Sequence, residues 1–231
     1  MFDNFFHKFY VAFIKNNDYK LLITGLQNTM IIAVGALIIG IFLGTIIAVI
    51  KVTPKKGIIG KFLDLLATVY ITVIRGTPVV VQLLLIYFGI LAKYRIDPLL
   101  TAVCVFGINS GAYVAEIIRS GILAVDKGQT EAGRSLGLTY GTTMTKIVLP
   151  QAIKNILPTL GNEFILLVKE TSVAGFITVL DLTRATRNIV AGMYDVFVPY
   201  TVLALIYLVI VMIFTYLLNK FERWLRKSDN R

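Results

Sequence analysis

The chain has 231 residues, of which 57% are hydrophobic and 16% are charged, and its mean hydropathy is +0.79. This composition excludes an ordinary soluble domain, and the length leaves no room for a soluble catalytic domain beside the membrane spans. The formal charge of +10 is explained by basic loops flanking membrane helices, since no separate basic domain for nucleic acid is present. We therefore predict an all-α, polytopic membrane helical bundle.

Five apolar runs are long enough to cross a hydrocarbon core, which needs roughly 20 residues of helix. The first run is too long for a signal-peptide core of about 7–15 residues, so we predict that it is retained. The predicted spans are 21–50, 58–91, 98–125, 155–180 and 196–218. They define an N-terminal extracytoplasmic segment (1–20), a single transmembrane domain (21–218) and a basic cytoplasmic tail (219–231).

The second run is too long for one straight helix, and Gly76-Thr77-Pro78 interrupts it. Proline lacks a backbone donor and disfavours helical geometry at the preceding residue, so we predict a kink here. A six-span alternative splits the run in two, but it leaves 79–91 short for a crossing.

Two pairs of glycines predict close helix contacts. Gly40-x3-Gly44 lies in the first span and Gly107-x3-Gly111 in the third, and each pair places small residues on one helix face. Such a face can serve packing within the subunit or between subunits.

The distribution of lysine and arginine predicts the orientation in the membrane. With five spans, one side of the membrane carries 14 cationic residues and the other carries seven. The dense 51–61 loop and the tail lie on the richer side, and basic residues concentrate in cytoplasmic loops. We therefore predict an outside N-terminus and a cytoplasmic C-terminus.

The residues that usually bind metals or nucleotides are sparse. Cys104 is the single cysteine and lies in an apolar run, so we predict a packed core residue. His7 has no histidine partner, and no Gly-x4-Gly-Lys-Ser/Thr phosphate loop is present. We predict no metal site, no catalytic residue and no cofactor bound by this chain. If transport is driven by ATP, the nucleotide must bind another polypeptide.

Residues 126–150, between the third and fourth predicted spans, are too polar to cross lipid. We predict a short helix over 130–138, with Thr130 as its N-cap and Gly137 at its end, and a second helix over 142–148. A short helix joined rigidly to membrane helices at both ends can transmit a push from a soluble partner. An interfacial hairpin would explain the amphipathic character but not the spacing of these residues.

That spacing resembles the EAA coupling motif of ABC importer membrane subunits, Glu-Ala-Ala-x3-Gly-x9-Ile-x-Leu-Pro. Gly133 departs from the motif by replacing its second alanine. Residues 75–82, 113–119, 128–129, 160–164 and 169–172 also look like the polar amino-acid permeases of bacterial ABC systems. The positions that match the motif are Glu131, Ala132, Gly137, Ile147, Leu149 and Pro150.

The resemblance implies the type I ABC importer permease fold in the bacterial cytoplasmic membrane. It also implies the partners: a second permease subunit, identical or different, two ABC ATPases that hold ATP and Mg, and an extracytoplasmic solute-binding protein. Residues 131–150 would couple the permease to the ATPases.

Ionisable residues inside a span are costly and are therefore candidates for function. Glu163 and Glu170 are seven residues apart and so share one helix face. A carboxylate there can accept the α-ammonium or a cationic side chain of an amino acid. The alternative is a structural ion pair, for example between Glu116 and Arg119. The predicted substrate-binding residues are Asn162, Glu163, Lys169 and Glu170.

The sequence thus predicts the permease subunit of an ABC importer for a polar amino acid. One alternative is an ion-coupled secondary transporter without an ATPase, but such folds often carry internal repeats and none is evident. Another is an intramembrane enzyme, but the sequence has no His-Glu-x2-His or Gly-x-Ser-x-Gly motif.

Overall fold

A computed structural model of the chain describes residues 7–54, 57–193 and 195–226. Lys55 and Lys56 of the predicted basic loop lie outside the described residues. A π-helical turn (Tyr10–Lys15) precedes α1, a second one (Leu85–Ile90) continues α3, and a third (Met144–Val148) joins α6 to α7. A 3-10 helix (Thr171–Ile177) follows α7. The α-helices are α1 (Tyr19–Val52), α2 (Gly57–Gly76), α3 (Val79–Leu84), α4 (Pro98–Leu123), α5 (Lys127–Ser135), α6 (Tyr140–Thr143), α7 (Leu149–Glu170), α8 (Leu182–Met193) and α9 (Phe197–Arg226).

Among the described residues, four helices are long and apolar enough to cross a membrane: α1, α2, α4 and α9. This is one fewer than the five predicted spans. The predicted fourth span, 155–180, corresponds to α7 and the 3-10 helix, but α7 begins earlier, at Leu149, and ends at Glu170. Helix α7 also contains Pro158 and several polar residues, which lower its mean hydropathy.

The second predicted span is broken rather than kinked. Helix α2 ends at Gly76, and Pro78 has an extended backbone, with φ −64° and ψ 135°, before α3 begins. The hydroxyl of Thr77 donates to the carbonyl oxygen of Val73 at 2.8 Å and so provides a partner for a carbonyl near the break. With its π-helical turn, α3 reaches only Ile90, which is short for a crossing of its own.

The described chain divides into two compact units. The first contains the described residues up to Ala36, together with Pro78–Phe106 and Ile165–Phe214. The second contains Leu37–Thr77, Gly107–Phe164 and the described residues from Thr215 onward.

In the second unit, glycines bring α1 and α4 of the same chain together. A Cβ at Gly44 would lie 2.6 Å from the Cγ1 of Val114, and one at Gly107 would lie 2.7 Å from the Cβ of Ile39. Real Cβ atoms do not approach this closely, so only glycine fits at both positions. Both Gly-x3-Gly pairs therefore serve packing within the subunit.

In the first unit, the N-terminal π-helical turn packs on α8 and α9. Ala12 and Phe13 form a buried cluster with Ile189 and Val198. Lys8 forms a salt bridge with Asp195 in the segment that precedes α9. The N-terminal segment is therefore attached to the following helices by both apolar and ionic contacts.

The prediction that Cys104 is a packed core residue is wrong, because its side chain is exposed on α4. The apolar residues around Cys104 do not distinguish a core position from a lipid-facing one, because lipid is as apolar as a protein core. In a membrane helix the outward face is therefore as apolar as the inward one.

Candidate coupling and substrate sites

The candidate coupling segment, residues 126–150, begins with a capped helix, α5. The carboxylate of Asp126 accepts a hydrogen bond from the backbone N–H of Gly128 at 2.6 Å, which makes Asp126 the N-cap. The prediction that Thr130 caps this helix is wrong, since α5 already begins at Lys127. Glu131 consequently lies in the middle of α5 rather than in its first turn.

The end of α5 is a Schellman turn at Gly137, as the sequence predicts. Gly137 has a φ of +80°, in the left-handed region that favours glycine. The N–H of Leu138 donates to the carbonyl of Gly133 at 3.2 Å, and that of Gly137 donates to the carbonyl of Arg134 at 3.0 Å. The guanidinium of Arg134 also donates to the carbonyl of Leu138 at 2.8 Å. These bonds fix the chain direction between α5 and α6.

The departure from the motif at Gly133 has a physical cause. A Cβ at Gly133 would lie 2.6 Å from the Cγ2 of Thr143 and 3.1 Å from the Cδ1 of Ile147. Thr143 is itself buried, with 1% of its surface exposed. Helix α5 thus lies on α6 and the following π-helical turn at a separation that an alanine side chain does not fit.

The other end of the segment is packed into membrane helices of the same unit. Helix α6 begins at Tyr140, two residues before the predicted 142, after Thr139 accepts the N–H of Thr142 at 3.2 Å. Val148 lies in a buried cluster with Val125, Ala152 and Ile156. Three half-buried residues of α4 pack against this cluster: Ile117, Ile118 and Ile122. The end of this segment is therefore in direct contact with α4 and α7.

The motif residues differ in exposure. Glu131, Ala132 and Pro150 are exposed, whereas Gly133 is buried and Ile147 and Leu149 are half-buried. Leu136 is 80% exposed and lies immediately before the Schellman glycine. The side chain of Leu136 is accessible at this turn, and a single exposed leucine is common on protein surfaces. Sequence reasoning missed it, although an apolar residue at the end of a polar helix was a usable signal.

Two of the four candidate substrate residues lie in the second unit. Glu163 is buried, and its carboxylate accepts a hydrogen bond from the hydroxyl of Ser110 on α4 at 2.8 Å. Asn162 is exposed, and its amide donates to the carbonyl of Pro158 at 3.3 Å. Ser110 was missed by sequence reasoning. Ser110 also lies against Gly40 of α1, where a Cβ would lie 2.8 Å from its hydroxyl oxygen. Both contacts are tertiary, so the sequence carried no signal for them.

The other two candidates, Lys169 and Glu170, end α7 in the first unit. Lys169 is exposed and Glu170 is half-buried. Among the described residues, no salt bridge joins Lys169 to an acid on another helix. The predicted pair between Glu116 and Arg119 is formed, with 2.5 Å between the guanidinium nitrogen and the carboxylate oxygen.

Further charged side chains join the helices of the second unit. The ammonium of Lys51 lies 3.0 Å from the carboxylate of Asp64 and donates to the hydroxyl of Thr68 at 2.9 Å. The guanidinium of Arg75 lies 5.1 Å from the ring centroid of Tyr113. These contacts link α1 to α2 and α2 to α4, which favours a structural role for them.

Residues 40–227 match the family described as "Binding-protein-dependent transport system inner membrane component". The chain belongs to this family. The match includes the whole segment from Asp126 to Pro150 and the four candidate substrate residues.

Curated relatives extend this family match over nearly the whole chain. The arginine transport system permease protein ArtQ of Bacillus subtilis strain 168 is 40% identical over 210 residues, which are 90% of this chain and 94% of ArtQ. The glutamine transport system permease protein GlnP of Escherichia coli K12 is 39% identical over 210 residues, covering 88% and 92% of the two chains.

Solved structures show the same fold. A crystal structure of an amino acid ABC transporter with histidines matches with a TM-score of 0.84 and 45% identity, over 93% of this chain and 97% of that chain. The inward-facing MetNI methionine ABC transporter matches with a TM-score of 0.75 and 19% identity, over 90% and 97%. Because its sequence identity is low, the match to the methionine transporter shows a shared fold and nothing more.

Proposed function

We propose that this chain is the permease subunit of an ABC importer that moves a polar amino acid across the cytoplasmic membrane. The observation that carries the proposal is the coupling segment. In a member of the binding-protein-dependent family, α5 is capped at both ends and packed on α4 and α7, while Leu136 remains exposed. The substrate class rests on relatives that are arginine and glutamine permeases.

In the proposed mechanism, partner ATPases hold ATP and Mg, and their closure displaces α5 and α6. Because Gly133 lies directly against Thr143, the two short helices move together. The cluster around Val148 passes the displacement to α4 and α7. The transmembrane pathway then alternates between outward-open and inward-open states, and no covalent chemistry takes place on this chain.

The proposed assembly contains a second permease subunit, two ABC ATPases and an extracytoplasmic solute-binding protein. The N-terminus lies outside and the C-terminus in the cytoplasm, so that α5 faces the ATPases. A secondary transporter without an ATPase, the alternative that the sequence left open, has no support among the relatives. ArtQ and GlnP are both described as permease proteins of transport systems.

Within this assembly, we place substrate contacts at Asn162, Glu163, Lys169 and Glu170. Glu163 is the strongest of the four, because it is an acid buried in a helix of a membrane protein. Its carboxylate suits the α-ammonium that all amino acids share, and it equally suits a cationic side chain.

The variant Gly137→Asp tests the coupling role. A Cβ at Gly137 meets nothing within 4 Å, so the substitution adds a charge and backbone strain without a clash. We expect normal membrane insertion but loss of substrate-stimulated ATP hydrolysis in the assembled transporter. Gly137→Asn is the matched control, because asparagine tolerates the left-handed region and has the same size without the charge. Unchanged coupling in Gly137→Asp at equal expression would refute the coupling role.

A further inference from the structure

The C-terminal part of α9 has one face packed on α7 and one face open. A Cβ at Gly161 of α7 would overlap the Cδ1 of Leu218, so Leu218 marks the packed side. Glu222 and Leu225 are half-buried like Leu218, and at about 100° per residue they fall in the same narrow sector of the helix. On the opposite side runs a groove of about 590 Å³, lined by Tyr216, Asn219, Lys220, Arg223 and Trp224.

The lining of this groove suits an anion bound beside apolar groups. All five of its residues are exposed, and none of them is acidic. Lys220 and Arg223 lie about one helical turn apart, so both cations reach the same side of the helix. Arginine presents a planar fork of donors to phosphate, and lysine adds a point charge. The side-chain amide of Asn219 provides a further donor.

The aromatic residues distinguish a lipid from a free anion. Tyr216 is 68% exposed and Trp224 is 67% exposed, and the Trp224 ring stacks on Phe221 with centroids 6.1 Å apart. Tyrosine and tryptophan are enriched where a membrane helix meets the headgroup layer. The same helix is a candidate span over Phe197–Leu225, so apolar sequence immediately precedes the groove. A soluble phosphate would use the cations and leave this aromatic surface unused.

We propose that this groove binds the headgroup of an anionic phospholipid, with Lys220 and Arg223 at its phosphate and Trp224 at the boundary with the acyl chains. Basic pockets at the cytoplasmic end of membrane helices suit such headgroups. The site anchors the end of α9 whose other face holds α7 at Gly161. The proposal rests on the proposed cytoplasmic C-terminus, but it does not depend on which solute is transported.

The test uses Trp224, which is the only tryptophan of the chain. The assembled transporter, with the full chain, is placed in vesicles that contain brominated phosphatidylglycerol or brominated phosphatidylcholine. The fluorescence of Trp224 is obtained by subtracting the signal of the Trp224→Phe transporter from that of the unaltered transporter. Each cation near the surface is worth ~1 kcal/mol toward an anionic lipid, so two predict a preference for phosphatidylglycerol on the order of 10- to 30-fold.

Matched variants separate a site from general surface charge. Lys220→Gln combined with Arg223→Gln should abolish the preference for phosphatidylglycerol. Lys61→Gln combined with Lys127→Gln removes two exposed cations from α2 and α5, and this variant should retain the preference for phosphatidylglycerol. Equal quenching by both lipids in the unaltered chain would overturn the proposal, as would an equal loss in both double variants. Relief of quenching by millimolar inorganic phosphate, or no quenching by either lipid because a second copy covers the groove, would also overturn it.

Discussion

At the scale of single residues, Glu163 combines burial with a neutral hydrogen-bond donor. Ser110 fixes the direction of one carboxylate oxygen at 2.8 Å, and 7% of the glutamate surface remains exposed. A hydrogen bond from a hydroxyl to a carboxylate is worth about 1.5–3 kcal/mol. A carboxylate held in this direction suits a cationic group of the substrate, and we propose Ser110 as the residue that positions it.

We predict that Glu163→Gln lowers uptake affinity roughly 10- to 150-fold, because one charged contact is worth about 1.5–3 kcal/mol. The isostere keeps an acceptor for Ser110, so the melting temperature and basal ATP hydrolysis should stay unchanged. Radiolabelled amino-acid uptake in vesicles and a detergent melting curve measure the two effects. Ser110→Ala is the control and should reduce affinity less. Normal uptake affinity in a stable Glu163→Gln protein would remove this residue from the substrate site.

A second residue-scale prediction concerns the departure from the coupling motif. Gly133→Ala restores the usual motif residue and raises helix propensity, but its Cβ would lie 2.6 Å from the Cγ2 of Thr143. Overpacking costs about 1–3 kcal/mol, more than the ~1 kcal/mol gained from propensity. We expect a lower melting temperature for the assembled transporter.

Two variants control for that result. Gly141→Ala places a Cβ in open space on α6 and should be neutral or slightly stabilising. Adding Thr143→Ala to Gly133→Ala removes the clashing methyl and should recover part of the lost stability. A single Gly133→Ala variant as stable as the unaltered chain would contradict the close packing of α5 on α6.

At the scale of elements, the sequence predicted the long helices and the turn at Gly137 from apolar length and backbone preference. It misplaced the start of α5, because Asp126 and Thr130 are both good N-caps. Local chemistry alone does not choose between them. The close approach of α5 to Thr143 that excludes a side chain at Gly133 is a tertiary contact, which the sequence does not show. The hydrogen bond from Ser110 to Glu163 was hidden for the same reason, since 53 residues separate the two.

The N-terminal segment should loosen in acid. The hydrogen bond from Lys8 holds the pKa of the Asp195 carboxyl below its ordinary value. The backbone N–H of Val198 also donates to this carboxylate and lowers the same pKa further. A carboxyl with a lowered folded-state pKa stabilises the folded form above the ordinary value, near 3.9, and this stabilisation is lost as pH falls through the lowered pKa. Hydrogen exchange of Tyr10–Lys15, corrected for intrinsic rates, should therefore accelerate below about pH 4. In Lys8→Gln exchange should already be faster at neutral pH and respond less to acid, and an unchanged acid response there would contradict this assignment.

At the scale of the whole molecule, the number of crossings decides where the C-terminus lies. The four long apolar helices alone would place both termini on the same side of the membrane, since each crossing reverses the chain. A fifth crossing by α7 would place them on opposite sides. Helix α7 is polar because it carries Glu163 and Glu170, and a polar helix is tolerated in a membrane where it faces protein or a water-filled pathway. The proposed topology thus requires a crossing by α7, which is not one of the four long apolar helices.

We predict that single cysteines placed in a Cys104→Ala background are labelled from outside at Asn17, Arg95 and Val196, and from the cytoplasm at Gln129 and Arg226. Cys104 must be removed first, because it is exposed. Asn17, Arg95, Gln129 and Val196 have exposed side chains, and the structure does not describe the side chain of Arg226.

The alternative topology has four crossings, without α7. In that case Asn17 and Arg95 remain outside and Gln129 remains cytoplasmic, whereas Val196 becomes cytoplasmic and Arg226 lies outside. Impermeant maleimide applied to intact and to permeabilised cells distinguishes the two outcomes. Cytoplasmic labelling at Val196 with outside labelling at Arg226 would mean that α7 does not cross, which would overturn the five-crossing topology. Outside labelling at Gln129 would instead overturn the proposed coupling role of α5, since the proposed ATPase partners act from the cytoplasmic side.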